Sequence, residues 1–493
     1  MYRHTHYLLS HILYLIQTLG AAMKRFFILS LALLGITAGN WFWDRHVVLG
    51  GKIYPRNATV LVLPEAVPAQ RLRRFHNLYW VDLRGRGLTG AEYEEISHAA
   101  GDARILWELD FQGTPVPSTA REIQVEHLSD EEVEALDYLP RLRLVRGDSC
   151  RDYPQLLALR KRRPDCQVNY RVELGGVSMS CWEDVPSPNL CTEEDIRQAL
   201  ALLPRVRRVD LRETGLSPEQ ARRLARDYPS IFFLWEETWG DARFSTDQYE
   251  IDLSGVQMED TAGLEAMLPY LKNVRKIILC DCGLESPVLA QLGERYPAIR
   301  FVWRVRLGPL SARTDDTWFA PITKGQLIGG HDVDELKYCT DMECIDLGHC
   351  WIRDCEWARG MKNLRYLVLA DTYVRDLSPL SELKNLTYLE LFVTPVRDYS
   401  PLLGCTGLED LNLGYTYGDP TPISQMSWLK NLWWGGIHYV PWPRGENPAA
   451  MLRNGLPDTR ITLYAGSSTG MGWRNLPHYY EMRDRIGMYY MTG

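Results

Sequence analysis

The chain has 493 residues, of which 45% are hydrophobic and 24% are charged. This balance is typical of a packed globular protein and excludes a wholly disordered chain. The formal net charge of −8 argues against a nucleic-acid-binding protein, which usually carries a basic face, and eleven cysteines are too few for a disulfide-built scaffold.

The N-terminus carries the pattern of an export or anchor signal. Residues 26–43 form a hydrophobic run without a charged side chain, preceded by Lys24-Arg25. A basic flank followed by such a run predicts a signal peptide or signal anchor over residues 23–43, with the rest of the chain outside the cell. The aromatic triplet Trp41-Phe42-Trp43 favours an uncleaved anchor, and residues 1–22 form an N-terminal extension ahead of a second possible start.

Residues 44–75 are predicted to form an N-terminal cap, and residues 76–338 a series of long repeats. A strand motif of the form VxxVxL recurs in the second region, with aligned aliphatic positions at Val81, Val145, Val209 and Ile277. A second strand carries an aromatic side chain at Trp107, Tyr170, Trp235 and Trp303. Helical stretches such as 217–229 lie between these strands, so each long repeat is predicted to contain two strand–helix units.

The repeats become shorter over residues 339–436. Residues 361–382 and 383–404 agree in frame at a period of 22, and residues 339–360 and 405–426 fit the same frame less closely. Each unit exposes apolar residues that it cannot bury alone. We therefore expect stacked neighbours to share one continuous core.

The two repeat sections together resemble the leucine-rich repeat family. Leu364, Leu367 and Leu369 begin the pattern LxxLxLxxTxVxxLxxL, and the section at 339–436 is similar to the short 22-residue repeats of bacterial internalins. The resemblance implies an α/β leucine-rich-repeat solenoid, or horseshoe, with strands on a concave face and helices or turns on a convex face. Residues 437–493 belong to no repeat and would form a C-terminal cap.

The cysteines suggest core packing and one disulfide. Four of them crowd into the first short repeat, but they lack the CxxC pairs of structural zinc sites. The repeat frame favours core packing over metal binding for Cys339, Cys350 and Cys355, and it places the fourth, Cys344, on the predicted concave face. Cys181 and Cys191 flank a loop that interrupts the long repeats. They are a possible disulfide in an extracellular chain, and the alternative is two free thiols.

No ordered set of catalytic residues emerges from the sequence. The GxSxG motif at 466–470 matches a nucleophile elbow, but Ser468 is followed by His478 and then Glu481, whereas α/β-hydrolases place the acid before the histidine. The basic run at 160–163 is interpreted as a solvated helix end rather than a phosphate site. We therefore expect no catalytic residue, no metal site and no cofactor.

The second half of the array carries an aromatic cluster on the predicted concave face. Exposed aromatic side chains provide large contact areas and are enriched in binding hot spots, which predicts a ligand-binding patch. The alternative is that several of them pack beneath the C-terminal cap. In the first half, alternating Asp and Arg side chains favour a self-neutralising solvated face. The members of the predicted patch are Tyr366, Tyr388, Phe392, Tyr415 and Trp434.

Two functions are compatible with the sequence. The first is a membrane-anchored, outward-facing or secreted protein that binds a protein or glycan through its concave face without catalysis. It rests on the hydrophobic N-terminal segment and on the repeat array. The alternative is an intracellular or membrane-tethered scaffold that regulates a protein partner, which the many unpaired cysteines favour. Nucleic acid is not expected as a partner in either case.

Overall fold

The chain divides into two compact units, Met1–Leu216 and Ser217–Gly493. Within the residues that the structure describes, no helix is long and apolar enough to cross a membrane. The predicted extension 1–22 and the predicted signal segment 23–43 lie outside those residues, apart from Trp43. The computed structural model describes residues 43–63, 65, 67–436 and 447–488.

The first unit alternates short strands with helices. Strands β3, β4 and β5 are parallel neighbours, as are β7, β8 and β9, whereas β1 and β2 form an antiparallel hairpin. The strands are β1 (His46–Leu49), β2 (Lys52–Pro55), β3 (Val60–Val62), β4 (Trp80–Leu88), β5 (Arg104–Phe111), β6 (Thr114–Pro117), β7 (Glu122–Gln124), β8 (Leu144–Gly147), β9 (Gln167–Leu174), β10 (Val177–Ser180) and β11 (Arg208–Asp210). The helices are α1 (Gly90–Ala100), α2 (Asp130–Ala135), α3 (Tyr153–Arg162) and α4 (Glu193–Leu202).

Side-chain caps fix where several of these helices begin. Thr89, Ser129 and Thr192 each accept a hydrogen bond from the backbone N–H three residues later, and the acidic side chain at that position bonds back to the cap. Such a capping box satisfies donors that a helix start leaves unpaired. Each of these helices therefore begins directly after its capping residue.

The aromatic strands of the long repeats continue into antiparallel hairpins, which the sequence analysis did not predict. In the first unit, β5 pairs with β6 and β9 pairs with β10. The turns are Gln112-Gly113 and Gly175-Gly176, and all four of these residues have positive φ. Two-residue turns of this kind match the twist of the strands that they join. A long repeat thus contains a hairpin, and a further short strand such as β7, besides the two predicted strand–helix units.

The second unit begins with the same alternation of strands and helices and then changes to shorter repeats. In its short repeats, 3-10 turns such as Ser378–Leu380 and Ser400–Gly404 take the place of helices. The strands are β12 (Phe232–Leu234), β13 (Glu236–Trp239), β14 (Ala242–Ser245), β15 (Glu250–Asp252), β16 (Lys276–Ile278), β17 (Arg300–Val302), β18 (Arg304–Leu307), β19 (Leu310–Arg313), β20 (Trp318–Phe319), β21 (Cys344–Asp346), β22 (Tyr366–Val368), β23 (Tyr388–Glu390), β24 (Asp410–Asn412), β25 (Asn431–Trp433) and β26 (Arg460–Thr462). The helices are α5 (Pro218–Asp227), α6 (Ala262–Met267), α7 (Ser286–Arg295), α8 (Pro448–Gly455) and α9 (Pro477–Arg485).

A parallel sheet runs through the short repeats, in the order β20 to β26. Cys344, Tyr366, Tyr388 and Asp410 are direct partners on adjacent strands, so the chain returns to the same position every 22 residues. The next step is one residue shorter, because Asp410 pairs with Asn431. Since side chains alternate along a strand, one missing residue exchanges the two faces relative to a strict 22-residue count.

Buried leucines and the turns that follow them complete each short repeat. Leu367, Leu389 and Leu411 are fully buried behind the sheet. Thr372 and Thr394 donate their hydroxyls to the carbonyls of Leu369 and Leu391, at 2.7 Å in both cases. The turn backbone is therefore satisfied by the side chains of its own repeat. Just before these threonines the chain adopts a left-handed φ, at Asp371 and Val393. The equivalent residues of the neighbouring repeats, His349 and Tyr415, do the same.

Candidate binding face

Alternate positions of the short-repeat strands point to one side of the sheet, which we call the sheet face. The positions between them carry the buried leucines of the core on the opposite side. This is the side that the sequence predicts to be concave. One row of the sheet face contains Cys344, Tyr366, Tyr388, Asp410 and Asn431, and the next contains Asp346, Val368, Glu390, Asn412 and Trp433.

Residues 466–488, which we call the C-terminal segment, lie on the sheet face. Strand β26 first extends the sheet beside β25. The chain then turns back, and α9 begins at Pro477, a residue that favours the first position of a helix. One buried apolar cluster contains side chains of both the sheet face and the segment. The segment contributes Trp473, Leu476, Tyr479, Met482 and Ile486 to it.

Glu390 is the centre of a buried hydrogen-bond network that joins the sheet face to the C-terminal segment. Its Oε1 accepts hydrogen bonds from the Ser468 hydroxyl at 2.9 Å and from the Asn412 amide at 3.2 Å. Its Oε2 accepts from the Tyr388 hydroxyl at 2.8 Å, and that hydroxyl accepts from the indole N–H of Trp473 at 2.8 Å. Burial raises the pKa of the Glu390 carboxyl, because the charged form loses its hydration there.

Asp410 and His478 form a second polar contact. Nδ1 of His478 lies 2.9 Å from Oδ2 of Asp410, and its Nε2 lies 3.6 Å from a carboxylate oxygen of Glu409. The other Asp410 oxygen accepts a hydrogen bond from the Asn431 amide at 2.8 Å. Asp410 is only 1% exposed, so its carboxylate depends on these partners for the hydrogen bonds that water would otherwise supply.

Two charged contacts lie towards the end of α9. The Tyr366 hydroxyl donates a hydrogen bond to Glu481, and Arg485 forms an ion pair with Glu343. Burial, together with the bond to Glu481, raises the pKa of Tyr366 to about 12. The guanidinium of Arg485 also lies 5.7 Å from the centre of the Tyr366 ring, a distance at which a cation is attracted to an aromatic face.

The predicted aromatic patch is covered by the C-terminal segment. Tyr366 and Tyr388 are completely buried, and Phe392 is partly buried. Tyr415 packs edge-on against Phe392, with ring centres 5.3 Å apart, and its hydroxyl accepts a hydrogen bond from the Gly466 N–H at 3.0 Å. The prediction of an exposed patch is therefore wrong for Tyr366 and Tyr388, because both are buried in the cluster shared with the segment.

Trp434 does not join this cluster. The one-residue shortening between β24 and β25 puts Trp433 on the sheet face, where its ring lies 5.4 Å from that of Phe392. Trp434 comes one position later and is buried on the other side of the chain. Burial raises the pKa of Tyr399 there, and a contact with Trp434 offsets a small part of that rise. The predicted patch contained Trp434, whereas the tryptophan in the cluster on the sheet face is Trp433.

The serine and histidine of the C-terminal segment are arranged for packing. The Ser468 hydroxyl donates to Glu390 and is 6% exposed. Both ring nitrogens of His478 face carboxylates, so neither points to Ser468 as a general base would. The GxSxG motif therefore forms part of the turn that brings the segment onto the sheet.

The cysteines of the first short repeat are separate buried thiols. Cys339, Cys344, Cys350 and Cys355 are each at most 1% exposed, and the described residues contain no cluster of His, Cys, Asp or Glu that could hold a metal ion. Burial raises the pKa of Cys339 to about 12, which keeps this thiol protonated at neutral pH. Cys339, Cys350 and Cys355 fill gaps between repeats as small hydrophobic groups, whereas Cys344 belongs to the buried cluster on the sheet face.

The predicted disulfide between Cys181 and Cys191 is not formed in the structure. Both residues are free thiols. Cys181 is buried, and its sulfur accepts a hydrogen bond from the Tyr170 N–H at 3.4 Å and donates to the Val168 carbonyl at 3.6 Å. Both hydrogen bonds of the Cys181 sulfur are therefore made to the backbone of strand β9.

The charged ladder of the first unit neutralises itself. Arg84 forms an ion pair with Asp82 at 2.7 Å, and Arg212 forms one with Asp210 at 2.5 Å. The hydrogen bond from Arg84 lowers the pKa of the Asp82 carboxyl. In each pair the two residues are two positions apart in the sequence, so the charges neutralise each other locally.

Comparisons with known proteins find likeness in structure alone. No protein-family profile and no curated protein matches the sequence. Similar solved structures include internalin C2 of Listeria monocytogenes, which is 19% identical over 44% of this chain and 80% of that chain, with a TM-score of 0.23. The internalin inlF of the same organism is 15% identical over 85% and 91%, with a TM-score of 0.24. A leucine-rich-repeat protein of Leptospira interrogans is 15% identical over 82% and 75%, also with a TM-score of 0.24.

The repeat of 22 residues, the parallel register of β20 to β26 and the buried leucines behind the sheet define the architecture by themselves. The chain has a leucine-rich-repeat fold.

Proposed function

We propose that the chain is a non-catalytic binding protein, anchored in a membrane by residues 23–43 and facing outward, whose sheet face binds a protein or glycan. The residues proposed to contact the ligand are the aromatic side chains of that face, with Trp433 in place of Trp434. They are Tyr366, Tyr388, Phe392, Tyr415 and Trp433.

The observation that carries this proposal is that the sheet face already holds a piece of polypeptide. Trp473 and Tyr479 of the C-terminal segment are 5% and 7% exposed against it, and Glu390 accepts a hydrogen bond from Ser468. Buried aromatic anchors combined with satisfied polar groups are the features of protein–protein interfaces. This supports a protein ligand over a glycan.

Loosening the segment tests the role of the face. In the full chain, Trp473→Ala removes the indole that packs on Tyr388, and we expect it to increase binding to a panel of cell-surface proteins or to a glycan array. Trp351→Ala, which changes a tryptophan that is 65% exposed, is the matched control. Adding Tyr388→Ala to Trp473→Ala should abolish the gained binding. Equal binding by these two variants would contradict the proposed site.

The proposed location is tested by treating intact cells with a protease after adding an epitope tag to the C-terminus. Digestion of the tag before lysis agrees with an outward-facing chain. Protection until lysis, with digestion afterwards, contradicts it.

A second candidate is a scaffold that binds a protein partner inside the cell. The observation in its favour is that all eleven cysteines are free thiols, the state that a reducing compartment maintains. Mass spectrometry of native material separates the candidates, because a disulfide between Cys181 and Cys191 would exclude the intracellular one.

A further inference from the structure

We infer that the ligand of the sheet face is an amphipathic helical segment of another protein that carries the same order of anchors as the C-terminal segment and binds by replacing it. This inference rests on the proposed function and names the chemistry of its ligand. It is argued from the contacts that the resident segment makes.

The apolar anchors set the spacing that a ligand must have. Tyr479 and Met482 lie three residues apart in α9, Leu476 and Ile486 flank the helix, and Trp473 precedes it in a short 3-10 turn. All five side chains belong to the buried cluster on the sheet face. The Tyr388 ring lies 6.0 Å from the Trp473 ring and 6.3 Å from the Tyr479 ring. A helix laid in a groove is recognised through anchors of this spacing.

The buried acceptors of the sheet face determine which hydrogen-bond donors a ligand must carry. Glu390 and Asp410 are 3% and 1% exposed and accept hydrogen bonds, so the ligand has to bring donors to them, as Ser468 and His478 do. A buried acceptor that loses a partner is costly. This requirement selects against a purely apolar helix.

Near the C-terminal end of α9, the sheet face binds one acidic and one basic side chain of the segment. The Tyr366 hydroxyl donates to a carboxylate, here Glu481, and Glu343 pairs with a cation, here Arg485. A ligand helix therefore needs an acidic residue followed one turn later by a basic residue. This order fixes the direction in which the helix lies on the sheet.

Replacement, rather than simple addition, follows from the burial of the face. Tyr366, Tyr388 and Trp433 are fully buried beneath the segment and cannot contact a second ligand while it is in place. A segment tethered to its own site acts at an effective concentration of about a millimolar. A free helix of the same sequence therefore binds the wild-type chain weakly and binds strongly only when the resident segment is weakened.

The test uses a fluorescein-labelled peptide of residues 466–488 and fluorescence anisotropy with full-length chains. Trp473→Ala and Met482→Glu are two independent ways to weaken the resident segment. We expect the peptide to bind both variants at least about tenfold more tightly than it binds wild type. Tyr480→Ala, which changes a residue of α9 that is 49% exposed, is the matched control and should behave as wild type. A peptide that lacks Trp473 and Tyr479 should not bind.

Limited trypsin digestion reports whether the segment has been released, through cleavage after Arg474 and Arg483. If the variants are cleaved faster than wild type but do not bind the peptide, the inference is wrong, while the proposed function stands if they bind another ligand that requires Tyr388. If neither variant is cleaved faster, the segment is a fixed part of the fold and the inference is also wrong. Failure of the proposed function is separate, since it appears as binding that does not depend on Tyr388.

Discussion

The Tyr388 hydroxyl connects the sheet to the C-terminal segment. It donates to Glu390 and accepts from the Trp473 indole, both at 2.8 Å. Tyr388→Phe leaves the indole N–H without this acceptor in a buried site, and we expect the free energy of unfolding to fall by about 1–3 kcal/mol in urea denaturation. Tyr373→Phe changes a ring that is 58% exposed and should have no effect. Equal stability of the two variants would show that the buried network contributes nothing.

Glu390 also predicts how stability depends on pH. Its pKa is raised in the folded chain, because burial disfavours the charged form. Its favourable contribution is therefore present in full below the unfolded value of about 4.3 and is lost as the pH rises through the folded value. Glu390→Gln cannot titrate, so the stability of wild type relative to this variant should increase when the pH is lowered from 7 to 5. Urea unfolding of both proteins at each pH measures the difference.

Asp398 provides the control of opposite sign. The hydrogen bonds from Ser400 lower the pKa of the Asp398 carboxyl. Its contribution is present above the unfolded value of about 3.9 and is lost as the pH falls through the folded value. Wild type should therefore lose stability relative to Asp398→Asn below about pH 4. A pH dependence of the same sign for the two pairs would contradict the assigned shifts.

Residue-scale predictions from the sequence succeeded where the repeat was regular. Alternation along the strands correctly assigned Tyr366 and Tyr388 to the sheet face. The predicted patch also contained Trp434, but the repeat before Asn431 is one residue shorter, and this register puts Trp433 on the sheet face. The burial of the tyrosines was weighed as an alternative, but it depends on a segment that is distant in sequence.

Two glycines in the second unit test the packing of its elements. Gly293 lies inside α7, and a Cβ added there meets no atom within 4 Å. Gly293→Ala should therefore raise the free energy of unfolding by about 1 kcal/mol, the difference in helix propensity. Gly404→Ala should lower it, because the added Cβ would lie 1.8 Å from the Ser381 carbonyl oxygen of the preceding repeat. Thermal or urea unfolding measures both, and stabilisation by Gly404→Ala would contradict the close approach of the two repeats.

The hairpins show what sequence reasoning missed at the scale of elements. The strand after Trp235 continues through β13 into β14, and the strand after Trp303 through β18 into β19. Their turns contain Gly240 and Gly308, both with positive φ. A glycine between two short strands predicts a hairpin turn, so these turns could have been predicted from the sequence. The hairpins recur at the same spacing as the helices, so they add no second period to the sequence pattern.

At the scale of the whole molecule, the repeat pattern could not predict that the C-terminal segment covers the sheet face. Tyr366 meets Glu481 across 115 residues of sequence, and Trp473 meets Tyr388 across 85. The repeat period describes contacts between neighbouring coils only. The C-terminal segment has no period, and the apolar spacing of α9 indicates a buried side without naming the surface that buries it.

The cysteines give a prediction for the native chain as a whole. Ten of the eleven are buried, and Cys191 is only partly buried. Because alkylation requires an accessible thiolate, a short pulse of iodoacetamide at pH 7.5 should modify Cys191 before any other cysteine. Mass spectrometry after digestion locates the label, and Cys191→Ser should remove the fast reaction.

Unfolding before alkylation extends this measurement to the compartment of the protein. If every thiol is free, the unfolded chain should take up eleven labels without a reductant. Two fewer labels, restored by a reductant and mapped to Cys181 and Cys191, would contradict the free thiols of the structure. That result would also favour the outward-facing chain, because a short disulfide loop of this kind persists only in an oxidising environment.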